Sequence, residues 1–348
     1  MGALTKEFLI DFESNLRSIV ESSYAGLASN LWHSRFMKRR ATQSRKETVA
    51  WLLSTAQIRE INKTGGEQVF EDLVQTYAEY EMKAAASGLR IDRFKLEDLD
   101  GGGVDLAGKW AQDIGAYMAY WPQKKLAELI KNGETGTTYD GKAFFASDHP
   151  VNPGDTSLGT FANVFTGAAA GAYPGALPIG DSVTTDVALQ NLSKAVAYIK
   201  GIKMPNGEDP RFLRPVCIVA PPRMQQRVVQ LTNAKFLASN NGTSDMQALI
   251  ASFGFSEPVI ADELAAAFGG SDTDCYLACE EIGGASSQVG AFLYLDREPF
   301  KVTYYTGQGG GNGVDAVLDR ADELEWHAKG RFCASYGHPY MFFKLKAA

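Results

Sequence analysis

Near the start of the chain apolar residues return every three or four positions: Leu4, Phe8, Phe12, Leu16 and Ile19. The spacing predicts an amphipathic helical segment over 4–35, in two pieces, because Glu21-Ser22-Ser23 interrupts the pattern before Leu27, Leu31 and Trp32. Its stripe must be buried, either on the chain's own domain or on a neighbouring subunit. A stronger helix is predicted over 103–131, where Leu106, Trp110, Ile114 and Met118 are spaced by four beside Ala107 and Ala111. Pro122 should break or kink it after Trp121, with Leu126, Leu129 and Ile130 continuing and Gly133 as the C-cap. Between these helices the period changes to two. Ala78, Tyr80 and Met82 face one way and Glu79, Glu81 and Lys83 the other. Leu89 and Ile91 follow, then Phe94 and Leu96 after a shift. Long strands with two solvated sides are expected, an extended projection more than a core sheet. An exposed hairpin of that length invites edge pairing, so its natural cover is another subunit.

From about 184 the pattern mixes helix and strand. Val187, Leu189, Leu192, Val196 and Ile199 mark a helix capped by Thr184 or Thr185. "PVCIVA" (215–220) reads as a buried strand, and Pro221-Pro222 suits the first turn of the helix after it. "SDMQALIASFG" reads as a short helix capped by Ser244. "PVIADEL", "CYLACE", "AFLYLD", "FKVTYYT", "LEWHAKGRFCASY" and "YMFFKLK" read as strands. Residues 134–183 show little periodicity, and a loop of that length tends to be functional or interface-bound. Gly307–Gly313 reads as a loop; with no Lys-Ser/Thr pair and no helix after it, it is no phosphate loop.

Composition narrows the classes of function. Of 348 residues, 45% are hydrophobic and 22% charged, enough for a sizeable core. With 34 Lys and Arg against 41 Asp and Glu, the formal net charge is −7. The basic excess that grips phosphate is missing, which disfavours direct nucleic-acid binding. The densest basic run holds Lys38, Arg39, Arg40, Arg45 and Lys46; it reads as a solvated face or as a partner for acidic surface on another copy. Cys217, Cys275, Cys279 and Cys333 read as small reduced hydrophobes. The C-x3-C of Cys275 and Cys279 has no second pair and no nearby histidine, so no zinc and no cofactor are expected. No run is long enough to span a bilayer and no signal peptide opens the chain, so a cytoplasm-like compartment and no membrane partner are expected.

One stretch looks like chemistry. "YDGKAFFASDHPVNPGD" (139–155) sets Ser147, Asp148 and His149 in a row between Asp140 and Asp155. A soluble hydrolase using Asp148 and His149 is one reading. Consecutive side chains point apart, however, so the three form no triad by themselves, and no G-x-S-x-G turn is present. A metal held by His149, Asp148 and Asp155 is a second reading, but His33, His327 and His338 lie in unrelated contexts. The third is a folded loop: a turn at Asp140-Gly141, Phe144 and Phe145 as anchors, Asp148 bonded to local backbone, and Pro150 and Pro153 fixing the exit.

The same stretch resembles the D-G-x-x-F-F-x-x-D-H-P signature of the Mu-like phage major head subunit (gene T product) family, here Asp140, Gly141, Phe144, Phe145, Asp148, His149 and Pro150. "AWLLSTAQIREI" resembles the family's W-L-x(5)-L-R-E segment, "RIDRFKLEDLD" its D-R-x-x-I-E-D segment, and "LYLDREPFK" its L-D-x-x-x-P-x-K strand. "DELEWHAKGRFCASYG" is similar to its closing segment, with Asp322, Glu323, Arg331, Tyr336 and Gly337. The order is collinear along nearly the whole chain.

The resemblance implies an α+β fold, the tailed-phage major capsid fold of the Hong Kong phage type. Its parts would be an N-arm (1–35), an E-loop region (36–98), a P domain with its long spine helix and following loop (99–183), an A domain (184–310) and strands returning to the P domain (311–348). It further implies a non-enzymatic homo-oligomer of hexamers and pentamers in an icosahedral shell around double-stranded DNA, held without sequence-specific binding. The implied partners are a separate scaffolding protein, a portal and a cement protein; the implied location is the virion capsid, assembled in the bacterial host cytoplasm. An encapsulin-type nanocompartment shell is the nearest alternative. Asp148 and His149 are then expected to hold a loop's shape or a subunit contact.

Overall fold

The computed structural model describes residues 6–52, 75–92, 102–233, 253–282, 290–304 and 323–346. The expectations for Gly65-Gly66, most of the W-L-x(5)-L-R-E segment, Phe94, Leu96, most of the 244–254 helix, Gly307–Gly313 and Asp322 lie outside the described residues.

The chain opens with α1 (Lys6–Ala28), one helix where two pieces were expected. Glu21 and Ser22 lie on its solvent side while Phe12, Leu16 and Val20 are buried. A polar tract on the outer face costs a helix little. Strands β1 (Met37–Ala41), β2 (Lys46–Leu52), β3 (Gln75–Glu81) and β4 (Lys83–Asp92) follow. Helix α2 (Gly102–Lys131) then runs through Pro122 without a break. Leu126, Ala127 and Ile130 beyond the proline are buried in the core, so packing holds the helix where propensity would end it. Its buried stripe is Ala107, Ala111, Ile114 and Met118, and Leu106 is exposed. A constant spacing of four drifts around a 3.6-residue helix; the 4-3-4 spacing stays on one face.

The stretch expected to lack elements holds β5 (His149–Pro150), β6 (Thr160–Phe161) and β7 (Val164–Phe165). Helix α3 (Thr185–Lys200) starts where Thr184 Oγ1 accepts from Val187 N at 3.4 Å. Next come β8 (Leu213–Ala220), α4 (Gln225–Asn233), β9 (Val259–Ile260), β10 (Cys275–Glu281), β11 (Phe292–Tyr304), β12 (Glu323–Tyr336) and β13 (Phe342–Leu345). Two expectations change here. "PVIADEL" is strand only at Val259–Ile260 and then turns. "AFLYLD" and "FKVTYYT" are one strand, whose pairing with β12 slips twice between Asp296 and Lys301. Pro299 lies in that interval and has no N–H for the ladder.

Two sheets organise the chain. One has the order β1-β11-β12-β4, with β1 parallel to β11 and the other pairs antiparallel. The other has the order β7-β13-β10-β8-β9. Strands β2 and β3 form a separate antiparallel pair, in keeping with the alternation read there. Strand β4 instead lies on the first sheet, with Ile91 in the core beneath α1. Three residues of the basic run pair within the chain: Arg39 with Asp296, Arg40 with Glu47 and, between two largely exposed side chains, Arg45 with Glu81. The apolar interior divides in three. The smallest part packs Val49 of β2 on Leu293 and Leu295 of β11, with Ala78, Tyr80 and Met82 beside them. One side of the β2–β3 pair is therefore covered where two solvated sides were expected. A small cluster joins α1, α2 and β12 around Phe12, Leu16, Ala111 and Trp326. A large one joins the end of α2, the loop after it, α3 and the second sheet.

Candidate functional site

The candidate residues cluster where the chain leaves α2 and doubles back. Phe145 N donates to Gly133 O (2.7 Å), Phe144 N to Gly136 O (2.8 Å) and Thr138 N to Lys142 O (2.9 Å). At the tip Gly141 takes φ +77°, a conformation that suits glycine. Asp140 Oδ1 closes the turn by accepting from Lys142 N at 3.0 Å and from the Thr138 hydroxyl. The side-chain-to-backbone turn is therefore made by Asp140, where Asp148 was expected to make one. Asp148 is exposed and pairs with Lys142 Nζ on the rim.

His149 lies at the centre and is fully buried. Its Nδ1 is 2.6 Å from Asp140 Oδ2 and its Nε2 is 3.1 Å from Phe144 O. Carboxylate and carbonyl are both acceptors, so an imidazolium donating from each nitrogen satisfies the pair. The ring stacks on Phe161 at 5.3 Å. Burial pushes the Asp140 carboxyl up, but the His149 hydrogen bond and charge, with the Thr138 and Lys142 bonds, outweigh it and hold Asp140 below its ordinary value.

The two phenylalanines anchor this turn to both sheets. Phe144 stacks on Tyr336 with centroids 4.9 Å apart and lies 5.0 Å from Phe292. Phe145 packs 5.7 Å from Tyr276. Tyr336 OH donates to Leu129 O at 3.0 Å, tying β12 back to α2. Next to it, Gly337 N donates to Ala291 O at 2.8 Å, and a Cβ on Gly337 would fall 2.2 Å from Gly290 O. Only glycine allows that approach. Pro150 sits in β5 opposite Thr160. Arg331 stands apart on β12, half-exposed, its Nε 3.4 Å from the Glu298 carboxylate.

Asn163 is the residue the sequence reading missed. It is fully buried. Its Oδ1 accepts from Ala146 N at 2.9 Å, and its Nδ2 donates to Phe144 O, Pro339 O (3.1 Å) and Phe342 O (3.4 Å). One amide thus joins the loop to the connection between β12 and β13. The available signal was a polar residue inside "FANVF", where burial demands partners. Lys344 was also missed: it lies 2.9 Å from both Glu134 and Asp274, and these bonds lift its pKa against the effect of burial.

Chemically the arrangement fixes a loop. Both His149 nitrogens are engaged and the ring has no open face, while general-base work requires reach to a substrate proton. Ser147, Asp148 and His149 do not converge: Asp148 turns to Lys142 and His149 to Asp140. Among the described residues no three His, Cys, Asp or Glu are placed to share a metal ion.

Residues 9–174 match the family described as Mu-like prophage major head subunit gpT. That stretch is a little under half of the chain. The match includes most of α1, strands β1 to β7, α2 and the whole His149 loop. No curated protein matches the chain by sequence. Among solved structures, the capsid of cyanophage P-SCSP1u is similar at 14% identity, covering 90% of this chain and 86% of that one, with a TM-score of 0.54. The capsid of Myoviridae phage XM1 is similar at 11% identity, covering 88% and 86%, with a TM-score of 0.50. A chain of the bacteriophage JBD30 capsid is similar at 14% identity and a TM-score of 0.45; 90% of the present chain is covered, and it spans 64% of that protein's length. The fold is that of tailed-phage capsid proteins.

Proposed function

We propose that the protein self-assembles, as hexamers and pentamers, into the icosahedral shell of a tailed phage and encloses double-stranded DNA. The observation that carries this reading is the head-subunit match over residues 9–174, because it includes the His149 loop and the helices and strands around it. In this reading 1–35 is the N-arm, 36–98 the E-loop region, 99–183 the spine helix and its loop, 184–310 the A domain and 311–348 the returning strands. The β2–β3 pair, standing outside both large sheets, is the part of the E-loop region that reaches a neighbour. The His149 knot keeps the loop after the spine helix rigid, so that many identical copies present the same contacts. The cluster turns over no substrate.

Assembly takes place in the host cytoplasm with a separate scaffolding protein, a portal and a cement protein. The acidic net charge of −7 suits a container that must not grip its contents. Nuclease treatment of purified particles tests the reading. DNA that stays protected inside is expected, and it distinguishes a phage head from a nanocompartment of the same fold. Particles holding a single enzyme and no DNA would overturn it.

A further inference from the structure

A cavity of about 320 Å³ opens where α1, α2, β1, β11 and β12 meet. That is near the lower end of ligand pockets, roughly 300–1,000 Å³, and suits one side chain better than a cofactor. Tyr24, Tyr294, Phe300 and Phe332 contribute aromatic rings to its walls. Glu21, Asp296 and Glu298 bring carboxylates, and Arg39 is the only cation in the lining. That arginine is already engaged: it bonds Asp296 through two nitrogens and lies 5.8 Å over the Tyr294 ring. Glu298 shares the half-exposed Arg331, and exposed Glu21 has no cation within ion-pair distance among the described residues. Pro122, also in the lining, has no N–H. It leaves Met118 O, four residues back, without its helical donor, and Met118 is itself a lining residue.

Acceptors and π faces therefore outnumber donors in this cavity. We propose that it receives an arginine or lysine side chain from a second copy of this chain. The inference rests on the shell reading, which sets copies side by side. A guanidinium can stack on aromatic rings and donate to several acceptors at once, and its charge complements the two carboxylates that Arg39 leaves over. The chain offers such cations at its surface; the Arg45 side chain, between β1 and β2, is 80% exposed and, among the described residues, pairs only with the exposed Glu81.

The test places the photocrosslinker benzoylphenylalanine at position 24. Equal amounts of ¹⁴N- and ¹⁵N-labelled chain are assembled together, with the flanking head genes co-expressed, and irradiated particles are read by mass spectrometry. Mixed-isotope crosslinks to a peptide carrying Arg or Lys at the junction are expected. The double variant Glu21→Gln, Glu298→Gln should lower particle yield about tenfold or more with an unchanged melting temperature, as losing a desolvated charge partner does. Particles whose crosslinks stay within one chain, or reach a neighbour away from any basic residue, overturn the proposal and leave the shell reading intact. So does a double variant that assembles at full yield. Absence of particles from the parent chain overturns both.

Discussion

The core beneath α1 and the core beneath the 134–165 loop are built by different means. In the first, two long helices lay periodic stripes together on β12, and Phe12 meets Trp326 edge-on at 5.7 Å. Regular backbone satisfies itself, so side chains there need only be apolar and well spaced. In the second, an irregular chain is buried, and its backbone groups need partners from elsewhere. His149, Asp140 and Asn163 supply them, with Phe144 and Phe145 as apolar anchors. The first core should tolerate shape changes and fail gradually. The second depends on a few specific bonds and should fail as a unit.

Phe144→Ala is the strongest way to break this contrast. It empties a fully buried site between Tyr336 and Phe292, at a cost of about 3–5 kcal/mol. The urea midpoint should fall, and amide exchange should rise together over 140–165 and 339–345. Phe12→Ala should cost about 3 kcal/mol. There, proteolysis within 6–28 should rise while exchange over 140–165 stays as in the parent. Equal exposure of both regions in both variants would mean that the two cores are one cooperative unit.

These differences also mark how far the sequence could be read. Helices and long strands were legible because their period is local: α1, α2, α3, β8 and β12 fall where the apolar spacing placed them. A misreading arose where tertiary packing overrides a local signal, at Glu21-Ser22-Ser23. Within the site, Phe144, Phe145 and the Asp140-Gly141 turn were legible from residue type. The His149–Asp140 bond was not, because it closes across nine residues and depends on a fold the pattern does not encode. Asn163 was invisible for the same reason: its partners Pro339 and Phe342 are more than 170 positions away.

Smaller effects sharpen the account. Asn163→Ala leaves buried carbonyls and one amide without their partner and should cost about 1–3 kcal/mol, read from the same urea curves. Asp140→Asn should act through pH. The carboxyl is held below its ordinary value of 3.8 in the folded protein, so more protons bind the unfolded state. Its stabilisation is fully present above that value and is lost as pH falls through the lower folded pKa. The melting-temperature gap between parent and Asp140→Asn should therefore close as pH drops below about 4. Lys142→Ala removes only an exposed ion pair with Asp148 and should change stability by less than about 1 kcal/mol.

In the proposed shell, the rigid loop core lets identical copies pack in two kinds of ring. Electron cryomicroscopy of particles purified from cells expressing the chain with its neighbouring head genes tests it most directly. Closed icosahedral shells are predicted, with this fold in both hexamers and pentamers and the His149–Asp140 contact unchanged between them. A small discrete oligomer, or a shell built from another chain, would contradict the account.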